Sequence, residues 1–255
     1  MVEIKTDSSV DAMRQAGRVV AQALTAVREA AGVGVGLREL DEAAREVLRE
    51  AGATSPFLNY HPGWASVPFP GVICTSVNDA IAHGIPDGYR LRDGDLVSID
   101  CGAKLAGWVG DSAISFVVGT PRPEDIRLVD TAREALDAGI AAAVVGNRIG
   151  NISHAIGRVC RSAGYGIPEG FAGHGVGRSM HEAPEVPNEG RPRQGLALRR
   201  GMVLAIEPML IGGGGDVFHT APDGWTLRTS DGSRASHAEH TVAITDVGPR
   251  ILTLL

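Results

Sequence analysis

The chain has 255 residues, 44% of them hydrophobic and 21% charged, with a formal net charge of -6. That length is enough for one large domain or two small ones around a sizeable core, and the acidic balance implies no general attraction to nucleic acid or an anionic membrane. The three cysteines have no repeated spacing, no run approaches the ~18 apolar residues of a membrane span, and the first ten residues lack the apolar stretch of a secretory signal, so a reducing, cytoplasmic setting is expected.

In chain order, Val10, Met13, Gly17, Val20, Leu24 and Val27 recur at steps of three and four and predict a helix. Ser8 or Ser9 is expected to cap its start, and Gly32, Gly34 and Gly36 to end it. A second helix follows, with Leu37, Leu40, Ala44, Val47 and Leu48 on one face and a stop at Gly52. Residues 56–71, rich in Pro, Gly and aromatics, read as a loop. Strands are expected at 72–77, 96–104 and 108–118, then helices at 124–145 and 149–163, then strands at 202–211, 225–229 and 240–245. Adding 112 to Gly34, Leu40, Ala44, Val47 and Gly52 gives Gly146, Ile152, Ile156, Val159 and Gly164. A helix, glycine loop, helix, glycine unit thus occurs twice. The expected architecture is α+β, with two similar halves, about 1–120 and 121–255, forming one catalytic domain whose antiparallel sheet is covered by helices.

Five side chains stand out against this background. Asp100 ends the run Leu96-Val97-Ser98-Ile99, and Asp111, eleven positions on, begins Asp111-Ser112-Ala113-Ile114. A tight connection near 105–107 would make these antiparallel partners with the two aspartates roughly opposite each other, and like charges that close call for a cation between them. His174 lies in Gly173-His174-Gly175-Val176-Gly177, where glycines leave an imidazole unobstructed. Glu207 interrupts the apolar run of 202–209 just before Pro208, and Glu239 precedes the alternation Val242, Ile244. Four carboxylates and one imidazole are a hard, oxygen-rich set suited to a pair of divalent cations, and they point to a two-metal hydrolase. His83, in Ala82-His83-Gly84-Ile85-Pro86, and His181, in Met180-His181-Glu182, are candidates for moving protons or polarising a carbonyl.

The order of these motifs resembles the type I methionine aminopeptidases. Ile73-Cys74-Thr75-Ser76-Val77-Asn78 is followed by His83-Gly84-Ile85-Pro86, Asp100, Asp111, Gly173-His174-Gly175-Val176-Gly177-Arg178, Ile206-Glu207-Pro208-Met209, Asp223-Gly224-Trp225-Thr226 and Glu239-His240-Thr241. The likeness spans residues 4–245 and is to the bacterial short form. It implies the pita-bread fold of two pseudo-symmetric halves. It also implies a metal-dependent aminopeptidase that removes N-terminal methionine from nascent proteins and peptides with a small second residue. By the resemblance, Asp100, Asp111, His174, Glu207 and Glu239 are the metal ligands. Asp111 and Glu239 would bridge two ions, which can be Fe(II), Mn(II), Co(II) or Zn(II). His83 and His181 would contact substrate, Glu207 would accept a proton, and Tyr60, Cys74 and Trp225 would line the methionine pocket. The implied partners are the N-termini of nascent polypeptides at the ribosome, with no nucleic acid or membrane required and the enzyme a monomer. Three places depart from the family pattern: an extra segment at 61–70, Met180 where a Phe is usual, and Ser236-His237-Ala238 where Ala-Gln-aromatic is usual. The rival readings are a proline-specific peptidase of the same fold and a non-catalytic binding protein built on it.

Overall fold

The computed structural model describes residues 2–255; Met1 lies outside them. In chain order the elements are α1 (Asp7–Ala30), α2 (Leu37–Glu50), β1 (Ile73–Val77), β2 (Ala80–Ala82), β3 (Leu96–Leu105), β4 (Trp108–Val117), α3 (Pro123–Ala142), α4 (Ile149–Ser162) and β5 (Ala172–Gly175). They continue with β6 (Glu182–Pro187), β7 (Val203–Ile206), β8 (Met209–Ile211), β9 (Phe218–Thr220), β10 (Leu227–Thr229), β11 (Ala235–His237), β12 (Glu239–Thr245) and β13 (Gly248–Ile251). No helix among the described residues is long and apolar enough to cross a membrane.

The cap of α1 is Thr6 rather than Ser8 or Ser9: its side chain accepts from the Ser9 amide at 3.2 Å. Asp7 in the first turn and Arg28 in the last suit the helix dipole. The third helix stops at Ala142, short of the expected 145, and the strand expected over 202–211 is two strands broken at Glu207-Pro208. A proline nitrogen cannot donate to a ladder, which is the reason for the break. The glycines at offset 112 share a backbone role. Gly34 and Gly146, between the helices of each pair, have φ of 89° and 93°, and Gly52 and Gly164, just past the second helix of each, have 65° and 82°. All four lie in the left-handed region that closes helices at little cost to glycine.

An eight-stranded antiparallel sheet organises the molecule, in the order β1-β3-β4-β12-β7-β5-β6 with β13 beside β12. Two small sheets, β2-β10-β9 and β11-β8, stand beside it. One face of the main sheet is covered by helices. Val97, Ile99 and Cys101 of β3 are buried with Val20, Leu24 and Leu40 of α1 and α2, while Leu204, Ile206 and Val242 are buried with Leu136, Ile152 and Ile156 of α3 and α4. Helix α1 lies unusually close to β4. A Cβ on Gly110 would stand 2.8 Å from the Cα and the amide nitrogen of Gly17, and one on Gly17 would meet the carbonyl oxygen of Leu252. Only glycine allows that approach.

Candidate metal centre and its cavity

The turn between β3 and β4 consists of Ala106 and Gly107, with φ of 49° and 81°. Two consecutive positive φ values make the two-residue turn that matches the twist of a hairpin, and it fixes the register. Leu105 pairs with Trp108, Gly102 with Asp111 and Asp100 with Ala113. Asp100 and Asp111 are therefore diagonal neighbours, two positions out of direct opposition, and on the same face. The register continues across the sheet. Glu239 pairs with Ala113, Thr241 with Ala205, and Gly175 with Leu204. Side chains alternate with a period of two, so Asp100, Asp111, Glu239, Glu207 and His174 all project from the face opposite the helices. Cys74 joins them through its pairing with Asp100.

That face floors a cavity of about 390 Å³, and all ten residues singled out in the sequence line it: Tyr60, Cys74, His83, Asp100, Asp111, His174, His181, Glu207, Trp225 and Glu239. Among the described residues, Asp111, His174 and Glu239 offer ligand atoms within 4.8 Å of one another. His174 Nε2 lies 3.4 Å from Glu207 Oε1 and 3.9 Å from Asp111 Oδ2. The backbone supports this arrangement: the Thr241 hydroxyl accepts from the Asp111 amide at 2.9 Å and donates to its carbonyl at 2.7 Å. His174 Nδ1 stands 2.9 Å from the Gly175 carbonyl, a donor position that leaves Nε2 free to face the carboxylates.

The electrostatics of the cluster are those of a site built for cations. Oxygens of Asp100, Asp111 and Glu239 are buried without a hydrogen-bond partner. Burial, with the charges of Asp100 and Glu207, pushes the Asp111 carboxyl well above its ordinary range. Glu239 is driven the same way by burial and by Asp111. Burial raises Asp100 to about 7, with His237 opposing. Four carboxylates this close and this dry are unfavourable as anions unless positive charge is supplied. The donor set of carboxylates and one imidazole fits divalent metal ions. Glu207 differs from its neighbours: burial alone would raise it, but His237 and His174 outweigh burial and hold it below the usual value.

His83 follows β2 with φ of 57°, and Trp225 precedes β10, whose Leu227 pairs with Ala82. Their rings are 6.3 Å apart. His181 stands at the mouth with its ring 4.4 Å from that of His174, and its Nδ1 is 3.5 Å from the Tyr60 hydroxyl. Loss of solvent around each ring lowers both His83 and His181 to about 4, His174 adding to the effect at His181. Both are thus neutral imidazoles at neutral pH. The apolar wall is wider than sequence reasoning found. Phe57 and Phe69 join Cys74, Trp225 and Met180, with Phe69 and Trp225 ring centroids 5.1 Å apart. Their positions at the two ends of the Pro- and aromatic-rich loop were the available signal. His237, the departure from the family pattern, is 2% exposed with Nε2 3.7 Å from Glu207 Oε2. No motif in the sequence signals that contact.

Comparison with known proteins fits this geometry. The model of metallopeptidase family M24 matches residues 11–246. The methionine aminopeptidase 1 of Mycobacterium tuberculosis is 51% identical over 100% of this chain and 96% of its own. The crystal structure of methionine aminopeptidase from Thermotoga maritima superposes with a TM-score of 0.95 at 38% identity, covering 100% of both chains. A prolidase from Pyrococcus furiosus, 24% identical with a TM-score of 0.76 over 99% of this chain and 65% of that one, shares the fold.

Proposed function

The chain belongs to metallopeptidase family M24 and, within it, to the methionine aminopeptidases, and on that premise we propose that it strips N-terminal methionine from nascent polypeptides with a small second residue, using two divalent cations. Asp100, Asp111, His174, Glu207 and Glu239 would hold them. The observation that carries this reading is the coincidence of an apolar cavity with partnerless buried carboxylates on its floor. Fe(II), Mn(II), Co(II) and Zn(II) all suit this donor set. We read the chain as one catalytic domain of two halves, 1–120 and 121–255, acting as a monomer on chains at the ribosome.

When bound, the cations supply Lewis acidity and lower the pKa of a water toward neutrality. The protein's residues do the rest. Phe57, Phe69, Cys74, Met180 and Trp225 receive the methionine side chain, whose polarizable thioether suits aromatic edges. Glu207, kept as a carboxylate by His237 and His174, takes the proton of the attacking water. His181, neutral at the cavity mouth, donates to the oxygen that gains charge. His83, a neutral imidazole near Trp225, relays the proton that Glu207 took to the departing amine, accepting at one ring nitrogen as it donates from the other.

Elemental analysis combined with release of free methionine from Met-Gly-x peptides tests the reading. Chelation is expected to abolish release, and Mn(II), Co(II) or Fe(II) to restore it. Full turnover in a demonstrably metal-free sample would overturn the mechanism. Cleavage of Ala-Pro with Met-Gly-x left intact would identify a prolidase instead.

A further inference from the structure

Loop 61–70, the segment expected to depart from the family pattern, is held at several points. The Asn59 amide donates to the Phe69 carbonyl and the Phe69 amide to the Tyr60 carbonyl, each at 2.9 Å, which closes the loop at its base. The Ala65 amide donates to the Pro62 carbonyl at 3.0 Å, and His61 Nε2 reaches the Ala65 carbonyl at 3.1 Å. The Trp225 indole N–H donates to the Val67 carbonyl at 2.8 Å. Ala65 and Phe69 point inward and are buried, but Trp64 is 61% exposed. Its ring lies 4.9 Å from that of Trp225, edge to face, and 6.3 Å from that of His83, nearly parallel at 20°. Trp64 also lines the cavity. The fold therefore presents an indole whose inner side is fixed by two aromatic neighbours and whose outer side is open at the mouth.

Trp64 is not a lone surface residue, since it continues the aromatic wall of the cavity from Trp225 out to solvent. What must pass it is set by the site: a peptide with its first side chain in the apolar cavity and its scissile amide beside His83 leaves toward solvent on the His83 side. The geometry points to Trp64 as a specificity-determining residue that stacks on the third side chain of the substrate, favouring aromatic and large apolar residues there. The inference rests on the aminopeptidase reading, since it needs the peptide's N-terminus in the cavity. The pinned loop pays little ordering entropy on binding, so the contact is realised nearly in full.

The test compares kcat/KM of metal-loaded enzyme for Met-Ala-Phe and Met-Ala-Gly, read as a ratio so that changes common to all peptides cancel. The ratio is expected to be about three- to tenfold in the unmodified protein, the worth of one aromatic pair. It should fall to about one in Trp64→Ala and be largely kept in Trp64→Phe. A ratio near one in the unmodified protein, or a high ratio that survives Trp64→Ala, would overturn the assignment. Failure to release methionine from either peptide by the unmodified protein would instead strike the aminopeptidase reading itself.

Discussion

His181 is the residue whose role separates chemistry from architecture most cleanly. It lies seven positions after His174 and packs against its ring, yet it is not among the residues assigned to the cations. His181→Ala should leave metal content unchanged and lower kcat by roughly 10²–10³, the usual loss of one oxyanion donor, with KM affected less. Steady-state kinetics with metal analysis of the same sample checks this: loss of metal, or an unchanged kcat, removes the role. At this scale the sequence was most legible where a side chain contradicts its surroundings. Asp111 and Glu207 are carboxylates in apolar runs, and the structure buries both at 4% and 8% exposure. It was least legible where the partner is remote. His237 meets Glu207 only because β11 pairs with β8, an arrangement that no local pattern in Ala235-Ser236-His237 encodes.

Among the elements, the hairpin β3–β4 and helix α1 decide where the carboxylates stand. Gly110, the residue before Asp111, touches Gly17 of α1 with no room for a methyl group. Gly110→Ala should force the helix off the strand, costing about 1–3 kcal/mol and lowering the melting temperature by roughly 2–10 °C in a chain of this size. Differential scanning calorimetry gives the answer, and an unchanged midpoint would mean that α1 shifts without penalty. Periodicity found every helix, because each carries a long apolar face, and it found the long strands β3 and β4. It missed β2, β5, β9, β11 and β13, each of three or four residues, too short for a period of two to show, and β6, whose six residues carry two glutamates and two prolines instead of an alternating apolar face. The aspartates, expected roughly opposite each other, stand as diagonal neighbours two positions apart, because the turn at Ala106 and Gly107, not the hydrophobic pattern, sets the exact register.

Over the whole molecule, a few carboxylates tie distant segments together. Glu182 accepts from the buried Lys5 at 2.7 Å, and Asp216 accepts from Arg161 at 2.6 Å and from the Ile167 amide at 2.8 Å. The Arg161 bonds hold Asp216 below its ordinary 3.8. A carboxyl with a depressed folded pKa stabilises the fold above its unfolded value, and that contribution is lost as pH falls through the folded value. Asp216→Asn should therefore melt below the unmodified protein at neutral pH, and the gap should shrink as pH drops through 3.8 and below. A gap that stays constant across thermal melts from neutral to acid pH would mean the ion pair is not its source. The order of the strands has a further consequence, for biosynthesis. β12 sits between β4 and β7 in the middle of the sheet, but it is translated after both, and Ser112 reaches the Glu239 carbonyl across 127 positions. Until β12 leaves the ribosome, β4 and β7 present two open edges, the kind that other chains can add to. No truncated nascent chain lacking β12 can assemble the carboxylate cluster either, so this protein completes the floor of its cavity in one late step, when nearly the whole sheet has been made.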